Sequence, residues 1–265
     1  MPSRSVPFTK ASACGNDFLL IDAIHLPADP SDFTRRICDR HNGIGADGVE
    51  WIYPGPSGSD VEARLTNADG SPAEISGNGT RCVAACWLAQ QTGERKVVNV
   101  LTGAGVKECR LTWRQDHNFE FEMKIGVPEL QGERTLTLKD ATVSGIKLCM
   151  GNPQFIVFVE SFDFPWQARG AAIQAQSEFP EGTNVGFVRI VGPQLIESRF
   201  FERGAGETQS SGTGSCASAV AAISSHGAKS PVTVQAPGGS QIVRWEHEVF
   251  LQGPAQLIGR GEFFV

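Results

Sequence analysis

Short apolar runs broken by Gly, Pro and Asn recur along this chain, and they predict strands more often than helices. Strand-like runs fall at Phe18–Ile21, Val97–Leu101, Phe119–Ile125, Gln154–Val159, Val185–Ile190, Glu197–Glu202 and Pro231–Gln235. Helical patterning is sparser. Ser31 or Asp32 can cap a helix over Phe33–Arg40, whose basic last turn suits the helix dipole. A second helix is expected from about Arg81 to Gln91 and a third from about Ser215 to Ser225. The pattern is α+β with mixed sheets; it lacks the regular alternation of a doubly wound fold.

The last two helices follow similar segments. Residues 76–82 read Ser76-Gly77-Asn78-Gly79-Thr80-Arg81-Cys82, and residues 211–216 read Ser211-Gly212-Thr213-Gly214-Ser215-Cys216. Both are Ser-Gly-x-Gly before a run of small apolar residues, about half the chain apart, which predicts two related halves. Gly-x-Gly lets backbone approach a ligand closely, and the N-terminus of the helix that follows offers N–H groups and a positive dipole end. A carboxylate is the natural occupant. A dinucleotide reading of Gly212-x-Gly214-x-x-Ala217 fails, because no Asp or Glu lies between Glu207 and Glu246 to bind a ribose.

Composition narrows the class. With 265 residues, 40% apolar and 20% charged, the chain suits a globular protein of one large or two ordinary domains. No run approaches the length of a spanning helix, so no membrane association is expected. The N-terminal segment lacks the apolar core of a secretory signal. The net charge of −6, with scattered basic residues, does not favour nucleic acid. Seven cysteines, an odd number, fit reduced thiols and a cytoplasmic location. Cys82 and Cys86 have no nearby His or second Cys pair, so core packing is favoured there and no metal site is expected.

Ordered motifs carry a resemblance. They are Phe8-Thr-Lys10 with Gly15-Asn16-Asp17-Phe18, Arg40-His41-Asn42-Gly-Ile-Gly-Ala-Asp47-Gly, and Asn67-Ala-Asp69-Gly70-Ser71 with Gly77-Asn78-Gly79-Thr-Arg81-Cys82. In the second half come Met150-Gly-Asn152-Pro153, Asn184-Val-Gly186-Phe, Glu202-Arg203-Gly-Ala-Gly-Glu207-Thr208 and Gly212-Thr213-Gly214. From residue 8 to residue 216 the chain resembles the diaminopimelate epimerase family. The resemblance implies two similar, pseudo-symmetric domains, each a mixed sheet wrapped around a central helix, with the active site between them. The expected halves are 1–126, joined by a last strand at about 257–265, and 127–256.

It also implies a cofactor-free racemase or epimerase, in which one thiolate removes the α-proton and an opposing thiol delivers another. By the same resemblance, Asn16, Asn67, Asn184 and Arg203 would hold the distal carboxylate and amine of a diaminopimelate-like substrate, with Asn152 beside them. Gly77, Asn78, Gly79, Gly212, Thr213 and Gly214 would supply donors to the α-carboxylate, and Glu202 would assist the base. The implied partner is an amino acid with a second carboxylate, and a homodimer is the default assembly.

The chain departs from the family at the reacting groups. The family's Cys-Gly-Asn-Gly reads Ser76-Gly-Asn-Gly, its Cys-Gly-Thr-Gly reads Ser211-Gly-Thr-Gly, and its Gly-Asn-Pro-His reads Gly151-Asn152-Pro153-Gln154. The catalytic pair is therefore expected to be Ser76 and Ser211, with Glu202. Serine is a weak base at its free pKa and needs a partner. Three readings remain open: serines introduced to trap substrate, a natural variant working through Glu202 or a nearby carboxylate, or a same-fold protein that binds an amino acid without turnover.

Overall fold

The computed structural model describes residues 5–139 and 141–265. Two units emerge, one from the residues up to Met123 together with Gly253–Val265, the other from Lys124–Gln252. In the first, β1 (Ser5–Ala13) and β2 (Asn16–Asp22) form an antiparallel pair. Helix α1 (Pro30–Cys38) crosses to β3 (Gly48–Pro54), which runs parallel to β2. β4 (Val61–Asn67) pairs antiparallel with β3 and carries the short β5 (Pro72–Ala73). Helix α2 (Gly77–Gln90) follows, then β6 (Val97–Thr102) parallel to β4, and the antiparallel β7 (Gly105–Gln115) and β8 (Asn118–Gly126).

The second unit repeats the scheme. β9 (Glu129–Thr137), β10 (Thr142–Cys149) and β11 (Pro153–Phe158) are antiparallel in turn. Helix α3 (Trp166–Gln174) leads to β12 (Asn184–Gly192), parallel to β11. β13 (Leu195–Glu202), β14 (Gly206–Thr208), α4 (Gly212–His226), β15 (Val232–Ala236), β16 (Gly239–Trp245) and β17 (Val249–Phe264) complete it. The pairings match element for element: β13 and β15 are parallel as β4 and β6 are, and β12 and β13 are antiparallel as β3 and β4 are. The fold is α+β with two pseudo-symmetric domains, each a mixed sheet around a buried helix.

The two central helices can be buried because they are built from small residues. Asn78–Cys86 of α2 and Gly214–Ala222 of α4 are unbroken runs of buried residues. Helix α1 is the opposite case, an amphipathic surface helix that buries Phe33, Thr34, Ile37 and Cys38 against β3 and its neighbours.

Three boundaries differ from the expectation. α1 is capped by Asp29, whose side chain accepts from the Asp32 amide at 2.9 Å, because Pro30 occupies the first helical position. Ser31 donates instead to the Gly70 carbonyl at 2.8 Å. α2 and α4 begin at Gly77 and Gly212, earlier than expected, since each Gly-x-Gly forms the first turn and does not precede it. α3 was not expected at all. Its Gly170 packs on the Phe201 ring, where a Cβ would lie 2.7 Å away, so close packing and not periodicity selects that helix.

Candidate active site

Ser76 and Ser211 hold equivalent places, each the N-cap of its unit's central helix. Ser76 Oγ accepts from Gly79 N–H at 3.1 Å, and Ser211 Oγ accepts from Gly214 N–H at 3.1 Å. Their carbonyls accept from Thr80 and Ser215 N–H at 2.8 and 2.9 Å. The amides of Gly79 and Gly214 are thus occupied by the caps, which leaves Gly77, Gly212 and Thr213 as the amides at these helix starts that can face a ligand. Each hydroxyl sits at the positive end of a helix dipole, which favours negative charge on oxygen.

The surroundings of the two serines differ. Ser211, buried, donates to Glu202 Oε1 at 2.6 Å, and Thr208 Oγ1 holds the other carboxylate oxygen at 2.7 Å. Serine, carboxylate and orienting threonine therefore form a chain within one unit. Asn152 Nδ2 and Gln154 Nε2 both donate to Thr213 Oγ1 at 3.3 Å, and Gln154 also donates to Asn152 Oδ1 at 2.8 Å. Gln154, where the family pattern has histidine, is thereby a fully buried bracket for the start of α4. Asn184 accepts from the Arg203 amide at 2.9 Å and donates to the Pro153 carbonyl at 3.2 Å, so both its amide groups tie backbone. Arg203 Nη1 donates to the Glu181 carbonyl at 2.8 Å, with the side chain exposed.

In the other unit, Asn78 Nδ2 donates to Asn16 Oδ1 at 2.7 Å, and Asn16 Nδ2 donates to Asp47 Oδ2 at 3.1 Å. Asn67 Nδ2 donates to Ser71 Oγ at 3.1 Å. Asp17 is desolvated, yet hydrogen bonds and charge from Arg40 and Lys10 outweigh this and hold its carboxyl below the usual range. Ser76 has no equivalent of Glu202: the corresponding end of β4 is Asn67.

A carboxyl group that the sequence reading did not single out lies behind Ser76. Glu50, on β3, is 3% exposed and has no hydrogen bond or ion pair among the described residues. Burial alone pushes its carboxyl up to about 8. Its only sequence signal is a charged residue inside the apolar run Val49–Ile52.

Five of the thiols are buried away from ionisation. Burial raises Cys14, Cys82 and Cys86 above the usual range and pushes Cys38 and Cys109 up to about 12. Among the described residues no three His, Cys, Asp or Glu side chains are grouped to hold a metal. No described helix is long and apolar enough to cross a membrane. Cavities of about 470 and 320 Å³, one under β11 and one beside α1, include neither serine.

The glycine at the third helical position is constrained. A Cβ on Gly214 would lie 2.8 Å from Ser211 Oγ and 2.9 Å from Phe200 Cδ1. Gly214→Ala is therefore expected to lower the Tm, although alanine is about 1 kcal/mol the better helix former. Thermal unfolding checks this, and a Tm at or above that of the unsubstituted protein would show that Ser211 and Phe200 yield freely.

Comparison with known proteins follows the same lines. The family profile described as diaminopimelate epimerase matches residues 8–140 and 147–258. The diaminopimelate epimerase of Pelotomaculum thermopropionicum is 35% identical over 275 residues, covering 97% of this chain and 98% of that protein. Diaminopimelate epimerase 1 of a Nostoc species is 36% identical over 282 residues, covering 97% and 99%. Among solved structures, a hydroxyproline epimerase from Agrobacterium vitis superposes with a TM-score of 0.73 at 14% identity, covering 99% of this chain and 93% of that one. A Bacillus anthracis phenazine biosynthesis protein also gives 0.73 at 14% identity, covering 99% and 100%. These two likenesses carry the fold, while the family rests on the sequence matches over nearly the whole length. The chain belongs to the diaminopimelate epimerase family.

Proposed function

We propose that this chain is a cofactor-independent epimerase that inverts diaminopimelate at its α-carbon, using hydroxyls where the family resemblance implies thiols. The observation that carries the reading is the 2.6 Å hydrogen bond from Ser211 to Glu202 at the start of a buried helix. Epimerisation removes a proton from one face of the α-carbon and returns one to the other. In the removing step, Ser211 Oγ takes the α-proton while its own proton passes to Glu202. The helix start and the Gly214 N–H lower the cost of charge on Oγ. The Gly212 and Thr213 amides suit the substrate carboxylate, whose partial neutralisation makes the α-proton more acidic.

For the distal end, Arg203 supports a second carboxylate, since a guanidinium can bind it in bidentate fashion. Asn16 and Asn67 in one unit, and Asn152 and Asn184 in the other, support the reading as amide side chains that neighbouring groups already hold in place. The free cysteines support a reducing, cytoplasmic setting. A reading as a binding protein without turnover draws on the lack of a thiol at either helix cap.

Incubation with each diaminopimelate stereoisomer in D2O, followed by NMR, separates the two. Loss of the α-proton signal is expected, and it should vanish in Ser211→Ala. Saturable binding with no exchange would leave only the binding reading. Ser76→Cys combined with Ser211→Cys is expected to retain or raise exchange, because a thiol has a pKa near 8.5 and needs less help to ionise.

A further inference from the structure

The internal symmetry of the chain exposes an asymmetry at its reacting ends. Ser211 has the carboxylate of Glu202, from the end of β13, whereas the end of β4 offers Ser76 only the amide of Asn67. A carboxyl group reaches the start of α2 by another route. Glu50 pairs with Leu65 on β4, in the register position that Gly186 takes against Phe200 on β13. Where the second unit has a glycine and a phenylalanine ring, the first has a glutamate. A Cβ on Gly79 would lie 2.1 Å from Glu50 Oε1 and 3.3 Å from Ser76 Cβ. Glu50 and Ser76 thus converge on one methyl-sized space that exists because residue 79 is glycine. Ser76 Oγ accepts from Gly79 N–H and donates to no described residue, and Glu50 has no described partner either.

We propose that Glu50 is the proton partner of Ser76, completing a second serine–carboxyl couple built from a different strand than the first. The inference rests on the epimerase reading above and deepens it. When Ser76 delivers a proton to the carbanion, a new Cα–H bond forms and Ser76 takes the Glu50 carboxyl proton, directly or through one water, leaving a carboxylate. In reverse, Ser76 takes the α-proton and passes its own to Glu50. No electrons enter or leave the protein. Glu50 begins the delivering step with a proton to give, and its neutral state follows from its burial.

The groups around Glu50 leave its titration to burial. Leu20 on β2 and Leu65 on β4 flank it in register. From α2 come Gly79 and Cys82, whose thiol burial also raises, and the Arg81 guanidinium is bonded to Gly77 O, Asn78 Oδ1 and Pro254 O.

Glu50→Gln, which keeps shape and removes the titrating proton, is expected to cut kcat by about 100-fold or more with KM little changed. The limb of the wild-type pH profile near 8 should disappear with it. In the direction where Ser76 donates, that limb is a fall as pH rises. Adding Ser76→Cys to Glu50→Gln is expected to restore turnover, because a thiol can act without the carboxyl. Wild-type kcat and pH profile in Glu50→Gln, or no rescue by Ser76→Cys, would overturn the proposal and leave Glu50 as packing. If neither the wild type nor the double-cysteine protein exchanges α-protons, the epimerase reading itself falls. The couple is then judged by the 13C carboxyl titration of Glu50: a midpoint shifted by Ser76→Ala upholds it, and an unmoved one overturns it.

Discussion

Glu202→Gln is expected to slow α-proton exchange by about 10²–10⁴-fold, the range that a positioned proton acceptor contributes. The substitution keeps the size but offers one carbonyl acceptor where the carboxylate offered two. Of the Thr208 hydroxyl at 2.7 Å and the Ser211 hydroxyl at 2.6 Å, one keeps its acceptor and the other turns its lone pair to the new NH2. The place for the serine proton is lost, so kcat should fall while KM changes little. Ser211→Ala should cost about as much, and the double variant little more, because the two residues act as one unit. Exchange kinetics for the three variants check this. A Glu202→Gln enzyme within tenfold of wild type would show that Ser211 finds its base elsewhere, and strictly additive losses would show that the two residues act separately.

Arg81→Leu is expected to lower the unfolding free energy by about 3 kcal/mol or more, from orphaned acceptors at about 1–3 kcal/mol each. Arg81 is fully buried within α2. Its Nε donates to the Pro254 carbonyl at 3.1 Å, Nη1 to the Gly77 carbonyl at 3.2 Å and Nη2 to Asn78 Oδ1 at 2.5 Å. These bonds pin the first turn of the helix to the final strand, and Gly253 leaves room for them, since a Cβ there would sit 3.0 Å from Cζ. Leucine fills the volume but donates nothing. Lysine keeps the charge and loses the fork, so Arg81→Lys should recover only part of the loss. Urea unfolding at unchanged m-value measures both. A loss below about 1 kcal/mol for leucine would mean that water or a shifted backbone replaces the three bonds.

Much of the architecture is legible in the chain itself. The repeated Ser-Gly-x-Gly segments announce two related halves and mark the starts of both buried helices, because small residues and helix-capping serines have local consequences. The motif order points to the family in the same way, and Glu202, Ser211 and Thr208 lie close enough in sequence for a short turn to bring them together. Helix α3 is another matter. Its Trp-Gln-Ala-Arg-Gly-Ala-Ala-Ile-Gln carries no clear apolar stripe, and only its place in the β11–β12 crossover, matching α1 between β2 and β3, accounts for it.

The sequence by itself therefore determined the class of fold, the repeat and the two serines that open it, all features set by residues close together along the chain. Tertiary structure alone decided what surrounds those serines. Glu50 sits in a strand whose alternation would send it to solvent if one face were open. Helix α1 and its cluster cover the Val49 and Trp51 face, while α2 covers the other, so the carboxyl is enclosed beside Gly79. Asn184 and Gln154 are likewise drawn into brackets for backbone and for Thr213 that no local pattern specifies. The physical reason is common to all three. Burial and hydrogen-bond satisfaction depend on which distant segments pack over a residue, and those contacts exist only once the sheet has closed around its helix.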